Sequence, residues 1–378
     1  MINFCVPEKY TDDYVTQLAL INKQSVRCKI YETYGSTNEN IIGNIRSAHK
    51  IPSVCLDILA KQINMLHKHG IRFNYILNST VSNEIEFTKE GQKNIINFVN
   101  KLVSINVDSI TVSMPFLIKL LKTVFPKLDI VASVCMEINN LSKYNQILSL
   151  GGVSRFVLDR NYNRKFATID SLAQAGAVIE VLCNSPCLYN CVETHYHANL
   201  SSIRSRHDVT RSTSYNTDEI LSCFQYSLHN NYEFIKSPWI RPEDCIKYYT
   251  RGVKFFKIDG RDKPVDYNLE VIKAYMNETF SGNLLFLTSN IFEKELDKIS
   301  TTNKKQKIAL DNDLLSNFID FFINDIYACN ENCLQCKYCI DIYEKTNRTP
   351  NIYTESIKKQ GDVLVTVKQI KEDMRALL

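Results

Sequence analysis

Thirteen of the 378 residues are cysteine, and most of them fall in two stretches. The first is CNSPCLYNC, in which Cys183, Cys187 and Cys191 stand four residues apart, with Cys223 and Cys245 following. A thiolate is a soft anionic donor, and iron–sulfur clusters need several of them converging from a tight loop. The opposing reading is that a spacing of four sets small apolar thiols on one helix face, where they only pack. Asn184 and Pro186 argue against a continuous helix there, so the group is read as metal-ligating: Cys183, Cys187 and Cys191 come from the one loop, and Cys223 and Cys245 are available to complete the set. The second stretch is ACNENCLQCKYC, with Cys329, Cys333, Cys336 and Cys339. Four thiols this close in sequence can complete a tetrahedral zinc site or a four-iron site unaided. Zinc there would clamp the C-terminal segment; iron would make it part of a redox system.

Composition narrows the classes. The net charge of +4 is mild, and the one local run of lysines, Lys304, Lys305 and Lys307, reads as a solvated loop and not a nucleic-acid footprint. No apolar stretch is long enough for a membrane span, and Met1 to Tyr10 lacks a signal-peptide pattern. A cytoplasmic location follows as the expectation, and there thiols stay reduced and favour metals over disulfides. No Gly-x-Ser-x-Gly elbow and no His-Glu-x-x-His helix occurs. His195, His197 and His207 lie near the first cysteine group and could be ligands or acid/base groups, but are read as surface residues.

The elements that must hold these thiols follow from a repeated cycle of short β-branched or aromatic run, polar end, amphipathic stretch and closing glycine. The runs are Asn3–Val6, Val26–Tyr31, Arg72–Leu77, Ser109–Ser113, Ile130–Val134, Arg155–Leu158, Ile179–Leu182 and Lys254–Ile258. The clearest helical stretch is Pro52–His69, with Leu56, Leu59, Ile63 and Leu66 on one face. Glycines 70, 151, 176 and 252 sit where a left-handed helix terminus is expected. Eight strand–helix cycles predict an α/β fold, a (β/α)8 TIM-like barrel, with an open doubly wound sheet as the alternative. The barrel is assigned to residues 1–280. Residues 184–249 form a long insertion between strands seven and eight, and 281–378 a cysteine-rich C-terminal extension in which Leu310–Ile326 reads as one helix.

Chemistry in such barrels sits where the strands finish. Those positions carry Cys5, Glu32, Asn78, Ser113, Met114, Glu137, Asp159, Arg160, Cys183, Asn184, Asp259 and Arg261. Glu32, Asp159 and Arg261 are the expected substrate-binding or catalytic residues, because a charge beside a barrel interior costs desolvation unless something pairs with it.

Five segments also carry a family likeness: CLYNCVETHYHANL, SPWIRPEDCIKYY, FFKIDGR, the SGNLL of Ser281 to Leu285, and the late CxxCxYC. From about Ile71 to Cys339 the chain resembles the collagenase-like peptidases of family U32, whose catalytic type is unassigned. The resemblance implies an α/β barrel and, as in better-understood members, a 4Fe-4S cluster held by cysteines. It also implies oxygen-independent hydroxylation of ubiquinone precursors, transfer RNA or ribosomal RNA. Cys187 and Cys191 match the family's paired cysteines, Cys223 a further one, and Cys336 and Cys339 the C-terminal pair. Where the family has a proline and then often an arginine, this chain has Val192, Glu193 and Thr194. Three functions are therefore carried forward: an iron–sulfur redox or hydroxylation enzyme acting on a small molecule, peptide or RNA with an electron donor or protein partner; a peptidase of unassigned type; and a non-catalytic scaffold with zinc at Cys329 to Cys339.

Overall fold

The computed structural model describes residues 1–206, 223, 226–227, 230–288, 309–325 and 329–346. Eight strands run parallel and close on themselves in the order β1 to β8. They are β1 Ile2–Pro7, β2 Cys28–Gly35, β3 Arg72–Leu77, β4 Ser109–Val112, β5 Asp129–Ala132, β6 Arg155–Val157, β7 Ile179–Leu182 and β8 Val253–Lys257. Pairing of Asn3 with Phe255 and Cys5 with Lys257 seals the ring and rules out the open sheet. This is the expected (β/α)8 barrel.

The helices lie outside. They are α1 Asp12–Gln24, α2 Leu56–Lys68, α3 Lys89–Ser104, α4 Pro115–Val124, α5 Leu141–Ser149 and α6 Phe166–Gln174, then α7 Thr194–Arg204, α8 Glu233–Lys236, α9 Cys245–Thr250 and α10 Val265–Met276. Local chemistry starts them: the Thr11, Thr88 and Asn140 side chains accept from backbone N–H groups at the starts of α1, α3 and α5, and Pro115 opens α4. Leu59, Ile63 and Leu66 of α2 are fully buried against the strands, as their spacing predicts. One continuous apolar shell joins the outward strand residues Phe4, Phe73, Phe156 and Phe256 to these helices.

Inside the ring the residues differ. Only a small apolar group of Cys5, Tyr34 and Ile76, with Phe255 against it, lies apart from the shell. Beside it runs a polar chain. Thr111 donates to Asn74 and Asn74 to Glu32; Arg155 bonds both Glu32 and Glu180; Lys257 approaches Glu180 at 3.6 Å. Two carboxylates thus meet two cations in a region closed to water, which is how buried charge is tolerated.

Most other strand ends fall within one or two residues of expectation, and two differences are larger. β2 begins after the exposed Val26 and continues through Glu32 to Gly35, because a barrel interior accepts polar side chains that find partners. The helix expected over Leu310–Ile326 is a 3-10 turn at Asn312–Leu315 and a short α11 at Asp320–Asn324. Asn312 accepts from Arg241 Nε at 2.7 Å and donates to the carbonyl of Phe280, which breaks the run and pins it to the barrel. α12 Cys333–Cys336 and α13 Tyr338–Thr346 follow, with Tyr338 stacked on Phe321 at 3.9 Å. The lysine run at 304–307, His207 and the tail beyond residue 346 lie outside the described residues.

Candidate functional site

The loop after β7 splits the first cysteine group in two. Cys183 and Cys245 are fully buried in the apolar shell, where burial first, and the neighbouring Cys183 sulfur second, push the Cys245 thiol well above its ordinary range. Both are packing thiols as placed here. Past them, Asn184 holds the turn by donating to the carbonyls of Asp259 and Leu287, and the chain emerges at the mouth. There Cys191 and Cys223 approach to 3.4 Å, Sγ to Sγ, and the hydrogen bond from Cys223 lowers the Cys191 pKa to about 6. Cys187 Sγ accepts from Arg160 Nη1 at 3.1 Å. The Arg160 guanidinium is held cationic chiefly by Cys187, against the pull of burial, with Cys135, Asp159 and Cys191 adding to it. One arginine at the end of β6 therefore collects Cys187, Cys191, Cys135 and Asp159.

That arginine also lines a cavity of about 200 Å³, together with Ser113, Cys135, Glu137, Asp159 and His195. Its roof is α7, which the insertion lays across the mouth. The helix is tied down by Thr80 Oγ1 donating to Asn199 at 2.7 Å and by the Asn44 N–H donating to Ser205 Oγ at 2.9 Å. Gly43 makes the second tie possible: its φ is +89°, and a Cβ would lie 2.3 Å from Ser205 Oγ. His195 Nε2 stands 3.5 Å from a Glu137 oxygen at the rim, and His197 is on the same helix. Asp159 is buried at the cavity wall, accepting from the Asn161 N–H and from Asn139 Nδ2, each at 3.0 Å.

The other expected residues go elsewhere. Glu32 is not at the mouth: it lies within β2, inside the ring, bonded to Arg155 and Asn74. Among the described residues, Cys5, Glu32 and Glu180 are the one trio of potential ligands whose donor atoms all lie within 4.8 Å of one another. Arg155 and Lys257 already neutralise its carboxylates, and burial and those carboxylates push the Cys5 thiol well above its usual range. Arg261 is at the mouth, on the far side from the cavity, in the loop after β8.

The second group lies beside the first. Cys329, Cys333, Cys336 and Cys339 line one cleft walled by Phe321, Phe322 and Tyr338. Arg164 sits beneath, its guanidinium over Trp239, Phe318 and Phe322. Burial raises the Cys339 pKa to about 11, with the other three sulfurs adding to the rise against Arg164. Lys165 Nζ donates to the Cys329 carbonyl at 3.2 Å and pairs with Glu331 at 2.7 Å, and Asn190 Nδ2 donates to Glu331 at 3.3 Å. The segment from Arg160 to Lys165 therefore touches both groups. Sequence reasoning placed Arg160 at a strand end but gave it no role, and passed over Arg164 and Cys135. Arg160 and Arg164 stand four apart just after a strand end, a pattern of two cations behind two thiol groups that could have drawn attention to them.

The profile of peptidase family U32 matches residues 45–308. The chain belongs to that family. This U32 chain is 30% identical over 332 residues to the uncharacterized protease MJ1657 of Methanocaldococcus jannaschii, covering 88% of this chain and 92% of the relative. Among solved structures, the U32 peptidase Mk0906 superposes with a TM-score of 0.51 at 13% identity, over 69% of this chain and 94% of that one, a likeness of fold. No helix among the described residues is long and apolar enough to cross a membrane.

Proposed function

We propose that this U32 chain is an iron–sulfur enzyme of oxygen-independent redox or hydroxylation type, with its substrate in the cavity beside Arg160. The observation that carries the reading is that Cys187 is bonded to the arginine that lines the cavity, while Cys191 and Cys223 meet at 3.4 Å in the same loop region. The donor set suits the group: all three are free thiols, and soft thiolates favour iron–sulfur chemistry. A single zinc ion would draw its sulfurs to about 3.8 Å of one another, from Zn–S bonds near 2.3 Å. Among the described residues neither cysteine group contains three thiols mutually within 4.8 Å, so neither holds a pre-formed single-ion tetrahedral site.

When bound, such a cluster supplies one-electron chemistry at the cavity wall. The protein's own part is to position and to insulate. Arg160 offsets thiolate charge and directs it away from the substrate side. Asp159, fixed by two donors, and the Glu137–His195 pair offer proton acceptors and donors along the wall. The α7 roof limits water. Anaerobic purification followed by iron and acid-labile sulfide analysis is the test: a brown protein with about four irons per occupied group is expected. A colourless protein holding zinc only at Cys329 to Cys339 would instead favour the scaffold, and defined cleavage of a peptide by metal-free protein would favour the peptidase.

A further inference from the structure

Across the mouth from the cysteine cavity, the loops after β1, β2 and β8 bring together Lys9, Arg46, Arg261 and Lys263 with Glu8, Asp259 and Asp262. Most of these groups are spoken for. Arg46 bonds Asp259 and Asp262, each at 2.9 Å, and Asp259 also accepts from the Gly260 N–H. Lys9 Nζ is committed to the backbone carbonyls of Gly260 and Arg261 at 3.0 and 2.8 Å. Asn268 Nδ2 holds the carbonyls of Gly260, Lys263 and Pro264. The loop is thus fixed from both sides.

Arg261 is the exception. Its side chain is half-buried, with the guanidinium 5.6 Å from the Tyr34 ring centroid, yet Nε and Nη1 are buried with no acceptor. Those two nitrogens carry three of a guanidinium's five N–H donors. Leaving buried donors unmet costs about 1–3 kcal/mol each, more when charged. Glu8 Oε2 and Arg46 Nε, in the same group of side chains, also lack partners. Cations outnumber carboxylates, and both aspartates are already shared with Arg46. In agreement, burial first and Arg46 second lower the Arg261 pKa to about 10, and burial lowers that of Lys9 to about 8. The pattern is that of a cation waiting for an anion.

We propose that Arg261 anchors an anionic group of the substrate, a carboxylate or a phosphate, with Tyr34 beneath the guanidinium and Arg46 beside it. The anion accepts from one edge of the guanidinium, meeting part of its open donors, and offsets the excess of positive charge. This deepens the substrate-binding reading of the mouth: the ligand reaches from the cysteine cavity to Arg261 and carries negative charge at its far end. It does not depend on iron.

The test is calorimetric titration of the full chain, in iron-free and iron-loaded forms, with inorganic phosphate and with succinate at constant ionic strength. Saturable binding of one of them is expected, weakened roughly tenfold in Arg261→Gln, less in Arg261→Lys, and unchanged in Lys254→Gln, an exposed cation on the outer face of β8. The tighter anion identifies the group as carboxylate or phosphate. If Arg261→Gln fails to fold, Arg261→Lys carries the comparison. Absence of saturable binding in the native chain, equal binding by the Arg261 variants, or equal loss in Lys254→Gln overturns the proposal. A chain that binds the anion but takes up no iron would leave this site standing while the cluster reading falls; iron-loaded protein that binds neither anion does the reverse.

Discussion

Cys183 and Cys187 are four residues apart in one loop, yet they meet opposite surroundings. Cys183 packs with Cys245 in the apolar shell, while Cys187 faces Arg160 beside a water-accessible cavity. The difference teaches that thiol chemistry is set by what the backbone points a sulfur towards, and not by cysteine spacing. A sulfur sealed in apolar surroundings stays a neutral group, as Cys245 does; one that accepts a hydrogen bond from a second thiol, as Cys191 does, is drawn towards the thiolate.

Four measurements would break or sharpen that contrast. The largest effect is expected for Cys191→Ser and Cys223→Ser, which should reduce iron bound at the first group by at least about tenfold after anaerobic reconstitution, while Cys183→Ser and Cys245→Ser keep it. Iron loss in the buried pair, or none in the mouth pair, would reverse the assignment. Next, in iron-free protein, Cys245→Ser places a hydroxyl in the apolar shell and should cost about 1–3 kcal/mol in urea unfolding. Cys187→Ser should stay within about 0.5 kcal/mol. Third comes the pH profile of alkylation in iron-free protein. Cys191, whose pKa is lowered to about 6 by the Cys223 hydrogen bond, should react at neutral pH and lose its rate as pH falls through 6, since the thiolate is then protonated. Cys339, raised to about 11 by burial, should react only as pH rises towards that value. Mapping by mass spectrometry reads both, and a common profile would discount the contrast. The smallest effect is expected for Arg160→Gln. Losing the charge should slow alkylation of Cys187 a few-fold at fixed pH and leave Cys329 unchanged.

Much of the fold was legible in the sequence, because parallel strands buried on their outer face and helices with one apolar face leave periodic marks. Arg72–Leu77 and Ile179–Leu182 were read with their observed ends. The end of β2 was not, since Glu32 looks like a loop residue until a partner such as Arg155, 123 positions away, is known to stand across the barrel. The expected helix at 310–326 failed for a similar reason: Asn312 bonds to Arg241 and Phe280, contacts no periodicity records. At the site, the sequence and the family likeness together single out the thiols of residues 187, 191 and 223. Their division from 183 and 245 was not legible, because all five are the same residue type in one insertion.

The sequence by itself determined the number of strand–helix cycles, the reservoir of thiols and the family, since these follow from residue types and their local order. Only the tertiary structure decided that Arg160 would join the thiols to a cavity, that Glu32 would be neutralised inside the ring, and that Arg261 would be left with open donors. Each of these depends on which distant side chain ring closure brings within a few ångströms, and the energy of a charge is fixed by that neighbour and by the exclusion of water, neither of which is a local property of the chain.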